Sequence, residues 1–163
     1  MGYNDGVYTP PDGATNAFPG QVIKSATWNT VFGDISTALT DIGQGTAIEW
    51  TIRDSFQLAI TTGVKVYLEI PLALTINSWK ILADVSGSVV IDIWVAPFAS
   101  FPPTVANTIV ASAPPTLTSA QSAASSTLTG WTTTIAKGSI LAFNVNSAST
   151  VNQVTISLDC GRN

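Results

Sequence analysis

Two hydrophobic periods divide the chain. Over residues 25–42 the apolar positions Trp28, Val31, Phe32, Ile35, Leu39 and Ile42 recur at helical spacing, which puts them on one face of an α-helix. Asn29, Thr30, Asp34, Thr37 and Asp41 fill the opposite face. Ser25 stands where an N-cap accepts orphan amide protons, and Gly43 where a glycine ends a helix. A single helix of this length is marginal in water, so its apolar stripe must be covered. Its own domain, a parallel bundle of copies and a socket on a larger assembly are the three covers that fit.

From about Trp50 the period changes to two. Phe56, Leu58 and Ile60 alternate with polar or small residues, as do Val64, Val66, Leu68 and Ile70, then Trp79, Ile81 and Ala83. Val89, Ile91, Ile93 and Val95 share a face opposite Asp92 and Trp94; Leu141, Phe143 and Val145 share another, and Val154, Ile156, Leu158 and Cys160 a last one. Thr61-Thr62-Gly63 and Ser86-Gly87-Ser88 read as hairpin connections. Short strands rich in Thr and β-branched residues at this spacing predict an antiparallel sandwich or jelly roll. Pro97–Ser126 is long for a structureless loop; the pattern predicts one short edge strand near Thr108–Ser112 within it. Residues 1–24, with Pro10-Pro11, Asp12-Gly13 and Pro19-Gly20, show turn signals and no period, and read as an extended arm. The expected fold is therefore mainly β: an N-terminal arm and one amphipathic helix over 1–45, then an antiparallel β-sandwich, jelly-roll-like, over 46–163.

Charge changes the picture. Only 10% of the 163 residues are charged, and mean hydropathy is positive at +0.34. No ionisable side chain occurs between Ile93 and Ala136. Spanning lipid takes about 20 consecutive apolar residues, and here Pro97, Pro102, Pro103, Pro114 and Pro115 break the neutral region, so membrane insertion is not expected. The opening Met1–Gly6 has neither a basic start nor an apolar run, so no signal peptide is expected. Soluble surfaces usually carry about 25–35% charged residues; a chain this neutral is expected to cover itself with copies or with other proteins. The net charge of −4 and six scattered basic residues offer no patch for phosphates, so no nucleic-acid partner is expected. Histidine is absent and Cys160 is the only cysteine, which leaves no ligand set for zinc and no Cys/His catalytic pair within one chain.

The run Phe18-Pro19-Gly20-Gln21, Ser25-Ala26-Thr27-Trp28-Asn29 and Asp34-Ile35 to Ala38-Leu39 resembles the N-terminus of bacteriophage fibre proteins. Ile81–Ser88, Asp92-Ile93-Trp94, Phe101–Ala106 and Ser126–Trp131 are similar to C-terminal domains of phage tail and head fibres. The resemblance implies a virion protein, usually a homotrimer, assembled in the host cytoplasm and anchored through its N-terminal segment to capsid, neck or tail proteins. No shaft separates the two regions here, which favours a short head fibre, collar element, spike or capsid decoration over a long tail fibre. Trp28, Val31, Phe32, Ile35, Leu39 and Ile42 are then the expected oligomer or docking contact.

The chemistry-bearing residues point away from catalysis. Glycoside hydrolysis needs two carboxylates flanking one bond, whereas Asp54, Glu69, Asp84, Asp92 and Asp159 fall singly along the strands and turns. No nucleophile elbow, phosphate loop or calcium loop occurs, and neither cofactor nor metal is expected. Trp50, Trp79, Trp94 and Trp131 are candidate stacking platforms for host surface polysaccharide, with Trp94 and Trp131 the chosen pair, against a core or interface role for the same rings. Cys160 ends an alternating apolar strand, which predicts burial; its place close to the C-terminal end of the sequence keeps an intermolecular disulfide open.

Overall fold

A computed structural model describes residues 2–4, 7–9, 45–54 and 58–163. The chain divides into two units, Met1–Gly43 and Gln44–Asn163. The predicted helix, and with it Trp28, Val31, Phe32, Ile35, Leu39 and Ile42, lies outside the described residues. In the first unit the described residues form a two-stranded antiparallel hairpin, β1 (Gly2–Asn4) on β2 (Val7–Thr9), with Tyr3 opposite Tyr8. These residues fall within the stretch read as an extended arm: Tyr and Val favour strand, and three residues a side give too little alternation to register as a period.

The second unit is an antiparallel β-sandwich of jelly-roll type. Its strands are β3 (Gly45–Arg53), β4 (Gly63–Glu69), β5 (Leu74–Pro97), β6 (Thr116–Ser125), β7 (Thr134–Ile135), β8 (Ser139–Ser149) and β9 (Gln153–Arg162). They join in the order β3-β9-β5-β8-β4, with β6 and β7 also on β5. β5 organises everything. Its Leu74–Ala83 half pairs with β9 and its Ser88–Pro97 half with β8, while β6 pairs with residues of both halves along the other edge. β8 and β9 therefore run end to end along one edge of β5, interrupted only at residues 150–152.

All three neighbouring strands bend at one level. On β5 the register shifts between Leu82 and Gly87; on β6 Ser119 has φ 45°; between β8 and β9 Thr150 has φ 67°. The bend is stitched by hydrogen bonds: Thr150 Oγ1 donates to Ser86 O at 3.1 Å, the Ser119 amide to Ser88 Oγ at 3.0 Å, and Gln121 Nε2 to Asp84 O at 3.1 Å. The Asn152 and Gln153 amides both donate to Asp84 Oδ1 at 3.1 Å. Ser86-Gly87-Ser88 is thus no hairpin turn but the fold line of a continuous strand. A glycine there allows close backbone approach, the other meaning of an isolated glycine in a strand.

Residues of one parity on each strand point to one face of a sheet. Trp79, Ile81, Val89, Ile91 and Ile93 of β5, Leu141, Phe143 and Val145 of β8, and Val154, Ile156, Leu158 and Cys160 of β9 all belong to one buried cluster. One apolar face shared by both halves is buried only if the sheet curls about the bend and closes on itself. The alternation over these strands was legible from the sequence. Burial of some 22 residues in that cluster supplies the main drive, at about 25 cal/mol per Å² of apolar surface removed from water.

Three further readings are corrected. Leu58, Ala59 and Ile60 are not in a strand: they form a loop whose Ile60 is buried and whose Ile60 amide donates to Val151 O at 3.0 Å. Gly45 and Thr46, read as linker, open β3. Within Pro97–Ser126 the predicted edge strand near 108–112 shrinks to a single bridge, Trp94 to Thr108, and the real strand is β6. Thr116–Ser125 is Thr-Leu-Thr-Ser-Ala-Gln-Ser-Ala-Ala-Ser, which carries little apolar alternation because only Leu117 is fully buried, with Ala120 and Ala123 packed at the core's margin.

Candidate functional site

On the outer side of the β4–β8–β5 half, a row of pairs runs Tyr67, Ala142, Trp94, Thr108 across neighbouring strands. The segment after β5 folds over this row. Phe98–Ser100 makes a 3-10 turn in which the Phe101 amide donates to Phe98 O at 3.1 Å. This places the Phe101 ring edge-on to Tyr67, centroids 4.9 Å apart at 68°, the geometry that aligns a positive ring edge with a negative face. A second turn, Val105–Asn107, is closed by Asn107 Oδ1 accepting from the Thr104 amide at 2.9 Å.

Beneath this cover Ala142 and Ala96 are fully buried, although they face away from the main core. Their small side chains leave room for the covering segment. Asp92 is buried and accepts from Thr108 Oγ1 at 2.6 Å, which ties the covering segment to β5. Asn144, opposite Asp92, is also buried and donates Nδ2 to Asn146 Oδ1 at 2.7 Å. Above them the surface is apolar: Phe98 is 73% exposed, Val105 67%, Phe101 52% and Tyr67 44%. Exposed rings of this size make this surface a candidate for contact.

The two tryptophans singled out from sequence are placed differently. Trp94 lies in this row, half-buried, and its Nε1 is buried with no hydrogen-bond partner among the described residues, a burden of about 1–3 kcal/mol for a lone donor. Trp131 packs against the core and donates Nε1 to Ala113 O at 2.9 Å. Among the described residues the most exposed rings are Tyr67, Phe98 and Phe101, which sequence reasoning passed over. The phenylalanines' one signal is their place among prolines in a charge-free segment. Trp50 is 39% exposed on β3 and Trp79 buried on β5.

Cys160 is fully buried on β9 between Thr46 of β3 and Ile76 of β5. Burial, and secondarily the Asp159 charge, push its thiol up to about 11. A thiol so placed is a core side chain; to reach another chain, β9 must leave the sheet.

Three of the carboxylates serve the fold. Besides Asp84 at the bend and Asp92 under Thr108, Asp54 at the end of β3 accepts from the Thr61 hydroxyl and amide, each at 2.6 Å, and from Lys65 Nζ at 3.1 Å. This clasp ties β3 to β4. Chiefly the Thr61 hydroxyl, then its amide and Lys65, hold the Asp54 carboxyl at about 2 instead of 3.8. The Gln153 amide likewise lowers Asp84. A lowered folded-state pKa stabilises the protein above the ordinary carboxylate range, and that contribution is lost as pH falls through the folded value. Urea midpoints of the full chain are therefore expected to fall between pH about 4 and 2, and Asp54→Asn to be less stable at neutral pH with a shallower acid slope. An unchanged slope in the variant would show that the clasp carries no linkage. Among the described residues no three His, Cys, Asp or Glu side chains cluster as metal ligands.

No family model matches the chain, and no curated protein matches it. Two solved structures are similar. One, described as "CBM4 structure and function", is 17% identical over 72% of this chain and 70% of its own, with a TM-score of 0.30. The other, a structure of infectious bursal disease virus Gx strain, is 15% identical over 72% of this chain and 36% of its own, with a TM-score of 0.25. At such scores the likenesses carry no argument, and the architecture rests on the strand pairing itself.

Proposed function

We propose that this chain is a non-catalytic structural subunit of a bacteriophage particle, self-associating as a homotrimer and anchored through its N-terminal segment to other virion proteins. The observation that carries the reading is the neutrality of the sandwich surface. Exposed positions of β6 are Thr, Ser, Gln and Ala, the segment beside it exposes Phe98, Phe101 and Val105, and the described residues hold one ion pair, Lys65 with Asp54. A surface this poor in charge stays dispersed best when partners cover it. The roles of Asp54, Asp84 and Asp92 as hydrogen-bond acceptors for the fold support a task of assembly over turnover, and the fibre-like sequence runs supply the kind of particle.

The test is the mass of the full chain by light scattering beside that of residues 45–163. A trimer that becomes a monomer on shortening supports the reading and puts self-association in the N-terminal unit. A monomer in both forms, with no incorporation into particles, refutes it.

A second reading has its own observation. The Tyr67–Phe101 pair with Phe98 offers ring faces on which the apolar face of a sugar can stack, as a receptor-binding head would need. Under this reading Phe101→Ala abolishes retention of the chain on immobilised host surface polysaccharide, while tryptophan fluorescence stays unchanged. Equal retention of the variant refutes it.

A further inference from the structure

Among the described residues β3 and β4 stand at opposite ends of the strand order, each paired on one side only. The curl of the sheet brings them together about a cavity of about 300 Å³. Four consecutive residues of β3, Thr46 to Glu49, line it. Side chains of successive strand residues point to opposite faces, so it is the backbone edge of β3 that borders the cavity. The same holds on the other wall. Ile70 turns both backbone groups toward β8, its amide donating to Ser139 O at 2.9 Å and its carbonyl accepting from Gly138 N at 2.7 Å. One residue back, the N–H and C=O of Glu69 face the other way, into the gap. The floor is apolar, with Ile48, Leu68, Ile70 and Leu74. Glu49 and Glu69 are both exposed on its rim, and no basic side chain lines it.

We infer that this groove accepts one extended peptide strand from a partner protein, with apolar side chains at alternate positions and a basic residue beside them. Two edges without a strand partner among the described residues, over an apolar floor, are what strand addition needs: main-chain hydrogen bonds hold the guest and pockets read its alternate side chains. The two rim carboxylates select against an acidic guest and favour a basic one. The clasp of Asp54 with Thr61 and Lys65 links the same two strands and holds the walls as a preformed slot. The inference stands apart from the particle reading, since it concerns what this edge binds and not where the protein resides.

The probe is a fluorescein-labelled heptapeptide alternating Val with Thr and carrying two lysines on the Thr side, titrated into the full chain and read by anisotropy. Saturable binding is expected, weaker by a few-fold when glutamates replace the lysines, and lost when the peptide's backbone amides are N-methylated. In a Glu49→Lys, Glu69→Lys double variant, which changes only exposed side chains, the preference is expected to reverse. Failure to bind at millimolar peptide, equal binding of the N-methylated peptide, or an unchanged charge preference in the double variant would overturn the inference. A full chain already doubled in mass, and monomeric in the double variant, would overturn it in favour of a second copy.

Discussion

Gly87→Ala is expected to cost the sandwich about 1–3 kcal/mol or more, the range for forcing extra atoms into a packed interior. An added Cβ would meet Ser149 O at 2.5 Å and Val151 Cγ1 at 2.7 Å, and would collide with Thr150 Oγ1. The carbonyl oxygen is backbone, so no rotamer change relieves it. The other two atoms belong to residues already committed: Thr150 Oγ1 donates to Ser86 O, and Val151 is fully buried with its carbonyl bonded to Ile60. Making room means opening the bend where β5 crosses the β8–β9 junction, and with it the hydrogen bonds that stitch the two halves. Gly45→Ala is the control, because a Cβ there meets nothing within 4 Å. Urea denaturation of the three proteins separates the cases: equal midpoints would mean that the fold line tolerates a side chain.

Phe143→Ala should be costlier still, by about 3–5 kcal/mol. Phe143 is wholly buried on β8, between Val66 of β4 and Ile93 of β5, and it is the largest fully buried side chain among the described residues. Truncation removes its transfer free energy and leaves a cavity that paired strands on both sides cannot collapse into. Against a typical total of about 5–15 kcal/mol, that loss leaves much of the population unfolded at modest denaturant. Phe143→Leu should recover most of the difference. A thermal midpoint for the alanine variant within a few degrees of the parent would contradict the placement of this ring at the centre of the core.

The strands that carry the core were readable because burial on one face imposes a period of two. Val154, Ile156, Leu158 and Cys160 alternate in sequence and are all buried. Where the physics imposes no such period, reading failed. β6 packs along β5 through its backbone, so its side chains stay small and polar and look like loop. Ser86-Gly87-Ser88 has turn composition because a turn and a tight crossing both need an absent Cβ. Only the position of residues 149–151 against it distinguishes them, and that contact is remote in sequence. The surface rings were illegible for a related reason. Tyr67 alternates with half-buried Val66 and Leu68 as any outward residue does, and Phe101 reaches it only because the chain reverses direction after β5. Trp94 and Trp131 attracted notice as tryptophans, yet neither ring is an open platform: Trp94 is half-buried on the outer side of β5 and Trp131 packs against the core.

One consequence concerns force. Gly45 and Gly161 are partners in the β3–β9 ladder, so the two ends of the sandwich domain leave it side by side. Tension drawn through both would tear the ladder like a zipper, loading one pair of hydrogen bonds at a time, since these lie across the strands. Tension entering at Gly45 and leaving through the Tyr67–Phe101 surface would be spread over the sheet, sliding strands past one another against many bonds at once. The domain is therefore expected to resist tension between Gly45 and its flank better than tension between its two ends.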